Sequence, residues 1–235
     1  MDTVVGLIIK SSTEYYNDLK ADENGRYRSW EHCYSHFIKS RGSKEIDYDY
    51  LSLQLAFYLA SWGMYRGSSF LLQKDYKVHI PVVKELISEK YDELAGIECI
   101  GFRRERNQQL LQDINSFLEQ YYNRIRREVK QQELKNQLSF TLIKKILMGT
   151  LGCVPAYDRY FIAGIKNKKV AAGNYNLKSI MQLVDFYEKN SERLELVREK
   201  MKVEGMPYPQ MKMIDMGFWQ IGFELDTDKR IQTAH

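Results

Sequence analysis

The sequence has little proline and cysteine: 4 Pro and 3 Cys in 235 residues. Scarce proline leaves long helices uninterrupted. Cys33, Cys99 and Cys153 are odd in number and far apart, which excludes a disulfide framework or a paired Cys/His zinc motif; reduced, buried thiols are expected. No apolar run approaches the ~20 residues that span a bilayer, because Val4 to Ile9 is cut off by Lys10. That stretch also lacks a basic start and a small-residue cleavage site, so the expectation is a cytoplasmic protein without a membrane segment. The 14 Gly form neither linker nor repeat. A strong excess of one charge is missing too: 35 Lys plus Arg against 31 Asp plus Glu give +4, compatible with a polyanionic partner without requiring one.

What is present describes a globule, 44% hydrophobic and 28% charged. Apolar residues recur at spacings of three and four almost throughout, which predicts an all-α fold. Helices are expected over about 3–20, 27–39, 48–62, 81–95, 104–133 and 177–201, with Asp47 and Asn176 as N-caps and Pro81 in a first turn. In the fifth, Leu110, Leu111, Ile114, Phe117, Leu118, Tyr121 and Ile125 form one apolar stripe. The simplest organisation is a single α-helical domain over residues 1–235, with two lobes hinged near residues 96–101. Arg103, Arg104, Arg106, Arg124, Arg126, Arg127, Lys130 and Lys135 crowd one segment, and Lys166, Lys168 and Lys169 follow later. Such runs form a solvated helix face or a phosphate-contacting surface.

The most informative stretch is SFTLIKKILMGTLGCVPAYDRYFIAGIK, Ser139 to Lys166. Its pattern reads as a helix ending at Gly149 to Gly152, a short apolar hairpin, and a second helix opening at Pro155. The run Leu151, Gly152, Val154, Pro155, Ala156 resembles the helix-hairpin-helix element of base-excision DNA glycosylases. That resemblance implies that hairpin amides and the following helix N-terminus grip a DNA phosphate. It assigns DNA contact to Gly152, Val154, Lys144 and Lys145. The chain departs from the family at Pro155, where a second glycine is usual, and in Val170 to Tyr175, which lacks the aspartate the family places there. Asp158 is the remaining local acid, at a helix start that favours the charged form; it is either the catalytic carboxylate or a simple helix-start acid.

Three further clusters carry polar chemistry. RYRSWEHCYSHF, Arg26 to Phe37, puts Trp30, Glu31 and His32 within one turn, with Glu31 a second candidate acid or base. His32 and His36 share a helix face, but no third ligand at metal spacing accompanies them, so no metal is expected. SWGMYRGSSFLLQKD, Ser61 to Asp75, offers Trp62, Arg66 and Ser68 around a glycine-rich turn, without a P-loop or dinucleotide fingerprint. In GMPYPQMKMIDMGFWQIGFELD, Gly205 to Asp226, Asp215, Trp219 and Gln220 are the polar or amphipathic exceptions in a helix otherwise destined for the core.

Together these residues suggest a monofunctional DNA glycosylase, hydrolysing the N-glycosidic bond of a modified base in double-stranded DNA to leave an abasic site, without a cofactor. Asp158 or Glu31 would be catalytic. Trp30, His32, Trp62, Arg66, Ser68, Tyr157, Arg159, Trp219 and Gln220 would bind the substrate. An aromatic, polar helical protein of this size also resembles glycosylases that attack hypermodified phage bases in antiviral defence. The alternative is a non-enzymatic DNA-binding or protein-interaction helical module.

Overall fold

The computed structural model describes residues 3–67, 69–129 and 139–233, with side chains up to Asp228. Ser68, Lys130 and Lys135 therefore lie outside the described residues. The fold is all-α. The helices are α1 (Val4–Ala21), α2 (Ser29–Ser40), α3 (Tyr48–Ser61), α4 (Ile80–Leu86), α5 (Glu105–Glu128), α6 (Phe140–Thr150), α7 (Arg159–Asn167), α8 (Leu177–Lys189), α9 (Ser191–Arg198) and α10 (Gln210–Thr233). Short 3₁₀ turns fill several connections, and a two-residue β-hairpin, β1 (Lys202–Val203) with β2 (Met206–Pro207), turns at Glu204 and Gly205. Among the described residues, no helix is long and apolar enough to cross a membrane.

The chain divides into two compact units. Unit 1 comprises residues 1–25, 96–104 and 153–235; unit 2 comprises 26–95 and 105–152. In unit 1, α10 packs along α7 and α1. Ile8, Phe161, Ile165 and Phe218 are fully buried there. In unit 2, α2, α3 and α6 pack together. Leu55, Leu59, Ile146 and Leu147 are fully buried in that unit.

The caps follow from local chemistry. Asp47 accepts the Tyr50 N–H at 2.8 Å, Asn176 accepts the Ser179 N–H at 2.8 Å, and Pro81 sits in the first turn of α4. Three expected boundaries move. The helix expected over 177–201 breaks at Asn190, whose side-chain amide donates to the Phe186 carbonyl at 2.7 Å while its backbone N–H bonds Tyr187, so a local polar side chain competes with the helix ladder. The helix from Pro81 stops at Leu86, and a 3₁₀ turn over Glu89–Leu94 takes up the remainder. The third is the hairpin region. α7 opens at Arg159 and not at Pro155, because Asp158 is the residue whose side chain caps it. Eight residues, 151–158, link α6 in unit 2 to α7 in unit 1 in place of a tight hairpin.

Candidate functional site

A turn held by several side chains stands at the start of α7 in unit 1. Tyr157 has φ +46°, a left-handed conformation that costs a residue with a Cβ on the order of 1–3 kcal/mol. It is held from both sides. The Ala156 N–H donates to Asp215 Oδ1 at 2.9 Å, and Asp158 Oδ1 accepts the N–H groups of Tyr160 and Phe161, both at 3.1 Å. The Tyr157 ring is buried against Phe161 and Tyr175. Its hydroxyl lies 2.8 Å from Ser179 Oγ. Ser179 spends its proton on the Ala172 carbonyl at 2.6 Å, so Tyr157 is the donor in this pair. Burial raises the Tyr157 phenol to about 12, against a smaller lowering from the Ser179 bond, which keeps it a donor at neutral pH. Asp215 Oδ2 lies 3.5 Å from Lys212 Nζ; both residues are buried on α10 and the ammonium sits over the Tyr15 ring. Asp158, half-buried, thus emerges from a turn with little freedom.

Arg159 and Tyr160 follow immediately. The exposed Arg159 guanidinium stacks over Tyr160 at 4.3 Å, donates to its hydroxyl, and lies 3.7 Å from Asp226 Oδ2. Tyr160 also meets Trp219 edge-on at 5.3 Å, and Trp219 stacks on Phe223. Gln220 points along its own helix, donating to Glu224.

The other expected residues lie in unit 2, mostly inside. Trp30 stacks on Tyr34 and donates to the Met148 carbonyl at 3.0 Å. Glu31 is only 1% exposed, with Arg28 Nη2 3.4 Å away. His32 is exposed on the other face of α2, and His36 Nε2 lies 3.1 Å from Tyr50 Oη. Lys145 sits over Trp62 at 4.7 Å, and Trp62 packs on Tyr27. Arg66 is exposed beside the left-handed Gly63.

The residues expected to grip a phosphate are engaged within the fold. Lys144 and Lys145 are 5% and 4% exposed, so neither ammonium stands on an open surface. Burial, partly opposed by Glu119, lowers the Lys144 amine to about 8. Gly152 and Val154 are buried, and the Gly152 N–H closes α6 on the Leu147 carbonyl at 2.9 Å. The Ala156 amide serves Asp215. These donors are committed to the fold. Basic charge of the Arg103–Lys135 segment is partly neutralised as well: Arg103 binds Asp185 and Glu188 within unit 1, and Arg106 lies 3.3 Å from Glu93 within unit 2. Arg124 and Arg127 remain exposed on α5.

The sequence reading missed Ser179, Lys212 and Asp226, and also a buried unit 2 triad. His79 Nδ1 lies 2.6 Å from Tyr122 Oη and Nε2 lies 2.7 Å from Tyr65 Oη. Burial pushes this imidazole down to about 3, so it is neutral and one tyrosine donates while the other accepts. The available signals were Lys212 and Asp215 three apart within a core-like helix, and His79 between Val78 and Ile80. Among the described residues, no group of three or more His, Cys, Asp or Glu is placed to hold a metal ion.

No family model, curated protein or solved structure matches the chain.

Proposed function

We propose that the protein is a monofunctional DNA glycosylase acting on a modified base of double-stranded DNA, in defence or repair, with Asp158 as its catalytic carboxylate. The observation that supports this most is the fixed Asp158 at the α7 N-terminus, directly after a non-glycine residue in the left-handed conformation. Backbone strain of this kind concentrates at functional sites. In the reaction, the bond between C1′ and the base nitrogen breaks and its electron pair leaves with the base. A water oxygen then bonds to C1′, and the proton that water loses matches the one the base gains. A carboxylate beside C1′ stabilises the cationic sugar and accepts a hydrogen bond from that water. Glu31, almost without exposure, serves the packing of α2 in this proposal.

The test is incubation with a panel of unmodified and naturally hypermodified phage DNAs, scoring alkali-dependent strand breaks and released base by mass spectrometry. Asparagine caps helices about as well as aspartate, so Asp158→Asn removes the charge and leaves the turn. A fall of about 10²- to 10⁴-fold in base release, with the melting temperature kept, is expected. Equal activity in the variant would remove Asp158 from the chemistry, and absence of base release across the panel would remove the glycosylase. The non-enzymatic alternative is favoured by one surface: Leu53 and Phe57, exposed four residues apart on α3, suit a protein partner.

A further inference from the structure

We propose that the groove between α7 and α10 binds a neutral, planar nucleobase. The inference takes its ligand class from the glycosylase proposal, while the groove itself is described by geometry independent of it. The cavity is about 370 Å³, near the lower end of the ~300–1,000 Å³ typical of small-ligand clefts, so it suits one base and part of its sugar. Its lining comes from one face of α7 (Arg159, Tyr160, Ala163 and Asn167) and from Gly222, Leu225 and Asp226 of α10.

Each part fits a base better than a phosphate or an apolar ligand. The charges are one guanidinium and one carboxylate, 3.7 Å apart, which together give no net attraction for an anion. A base edge presents a hydrogen-bond donor next to an acceptor. Asp226 accepts from such a donor, Arg159 donates to such an acceptor, and the Asn167 amide supplies one more of each. Ala163 brings little side-chain volume to the groove, whereas at Gly222 the backbones of α7 and α10 close on each other. At Gly222 a side chain is excluded, since a Cβ there would lie 1.9 Å from the Tyr160 carbonyl oxygen. On the aromatic side, Tyr160 backs onto the stacked Trp219 and Phe223, and Phe223 is itself exposed. The groove begins at the first residues of α7, directly after Asp158. A base held there therefore lies against the helix that Asp158 caps.

The experiment is a titration of the isotopically labelled full-length chain with deoxycytidine, deoxyadenosine, deoxyguanosine and thymidine, and separately with inorganic phosphate, followed by amide and side-chain NMR shifts. Saturable shifts centred on Arg159, Tyr160, Asn167 and Asp226 are expected with at least one nucleoside and not with phosphate. Arg159→Ala, at an exposed position, and Asp226→Asn, at a half-buried one, should each weaken that binding by about tenfold or more. Shifts with phosphate alone, nucleoside shifts lying elsewhere, or no binding would each overturn the inference. Nucleoside binding in the groove without base release from any DNA would leave the groove standing and remove the glycosylase. Base release with nucleoside shifts elsewhere would do the reverse.

Discussion

Replacing Gly222 with alanine isolates the packing of α7 on α10. An added Cβ would lie 1.9 Å from the Tyr160 carbonyl oxygen and 2.7 Å from its carbon, where real Cβ contacts essentially never fall below 3.0 Å. Both obstructing atoms are helix backbone, so no side-chain rotation relieves them, and the helices must part locally by about 1 Å. Overpacking of this kind costs about 1–3 kcal/mol, and the backbone obstruction argues for the upper end. The glycine-to-alanine change itself returns about 1 kcal/mol through helix propensity. A net loss of about 2 kcal/mol, or about 4–8 °C in melting temperature for a chain of this size, is expected. Gly6→Ala in α1 provides the internal contrast, since its Cβ would meet Thr3 Oγ1 at 3.4 Å and Arg193 Nη2 at 3.9 Å. That variant should gain up to about 1 kcal/mol. Thermal melts of the two variants beside the parent chain decide the matter. If Gly222→Ala melts at or above the parent, α7 and α10 do not approach as closely as described.

Further expectations concern buried polar groups. His79, held near 3 by burial, binds fewer protons when folded than when unfolded, where its pKa is about 6.5. Its contribution to stability is therefore complete above pH ~6.5 and is lost as pH falls toward 3, with a slope of up to about 1.4 kcal/mol per pH unit. His79→Gln should flatten the acid limb of urea-unfolding midpoints, and an NMR titration of His79 near its ordinary value would contradict the buried triad. Lys212→Met breaks a buried ion pair and should cost about 3–5 kcal/mol, much of it recovered when Asp215→Asn is added; equal losses in the single and double variants would show that the pair is not coupled. Cys33, Cys99 and Cys153 are buried, and burial raises the thiols of Cys33 and Cys99. A thiol reagent such as Ellman's should find none of them in the folded chain and all three in denaturant, whereas rapid reaction under native conditions would place a thiol at the surface.

The helical class and most helix centres were legible because they depend on spacing within the chain. The stripe from Leu110 to Ile125 is one α5 face, and the Asp47 and Asn176 caps act over three residues. What escaped was set at a distance. Nothing in the order Val154-Pro155-Ala156-Tyr157-Asp158 says that Asp215, 59 residues after Ala156, takes the Ala156 amide and that the helix opens after Asp158 and not at Pro155. Lys144 and Lys145 read as DNA contacts because lysines usually stand at the surface, yet both are buried with their ammonium groups over Phe140 and Trp62. The groove was half visible. Arg159 and Trp219 stood out by residue type, whereas Asn167, Asp226 and Gly222 gain meaning only when the two helices face each other.

The Tyr157 turn joins these observations causally. Glycine would adopt the left-handed conformation without strain, so the presence of tyrosine has to be accounted for by its side chain. That side chain buries a ring against Phe161 and Tyr175 and gives its proton to Ser179 on α8. The backbone conformation is imposed separately, by Asp215 of α10 on the residue before and by the Asp158 cap on the residues after. Side-chain identity and backbone angle thus have different supports, with α8 holding the hydroxyl and α10 the preceding amide. Asp215→Asn keeps an acceptor oxygen for the Ala156 amide, while Asp215→Ala frees the turn and lets Tyr157 relax toward ordinary angles. Since Asp158 is the next residue, α10 sets the direction of the proposed carboxylate through the Ala156 amide, and the same helix forms the opposite wall of the groove.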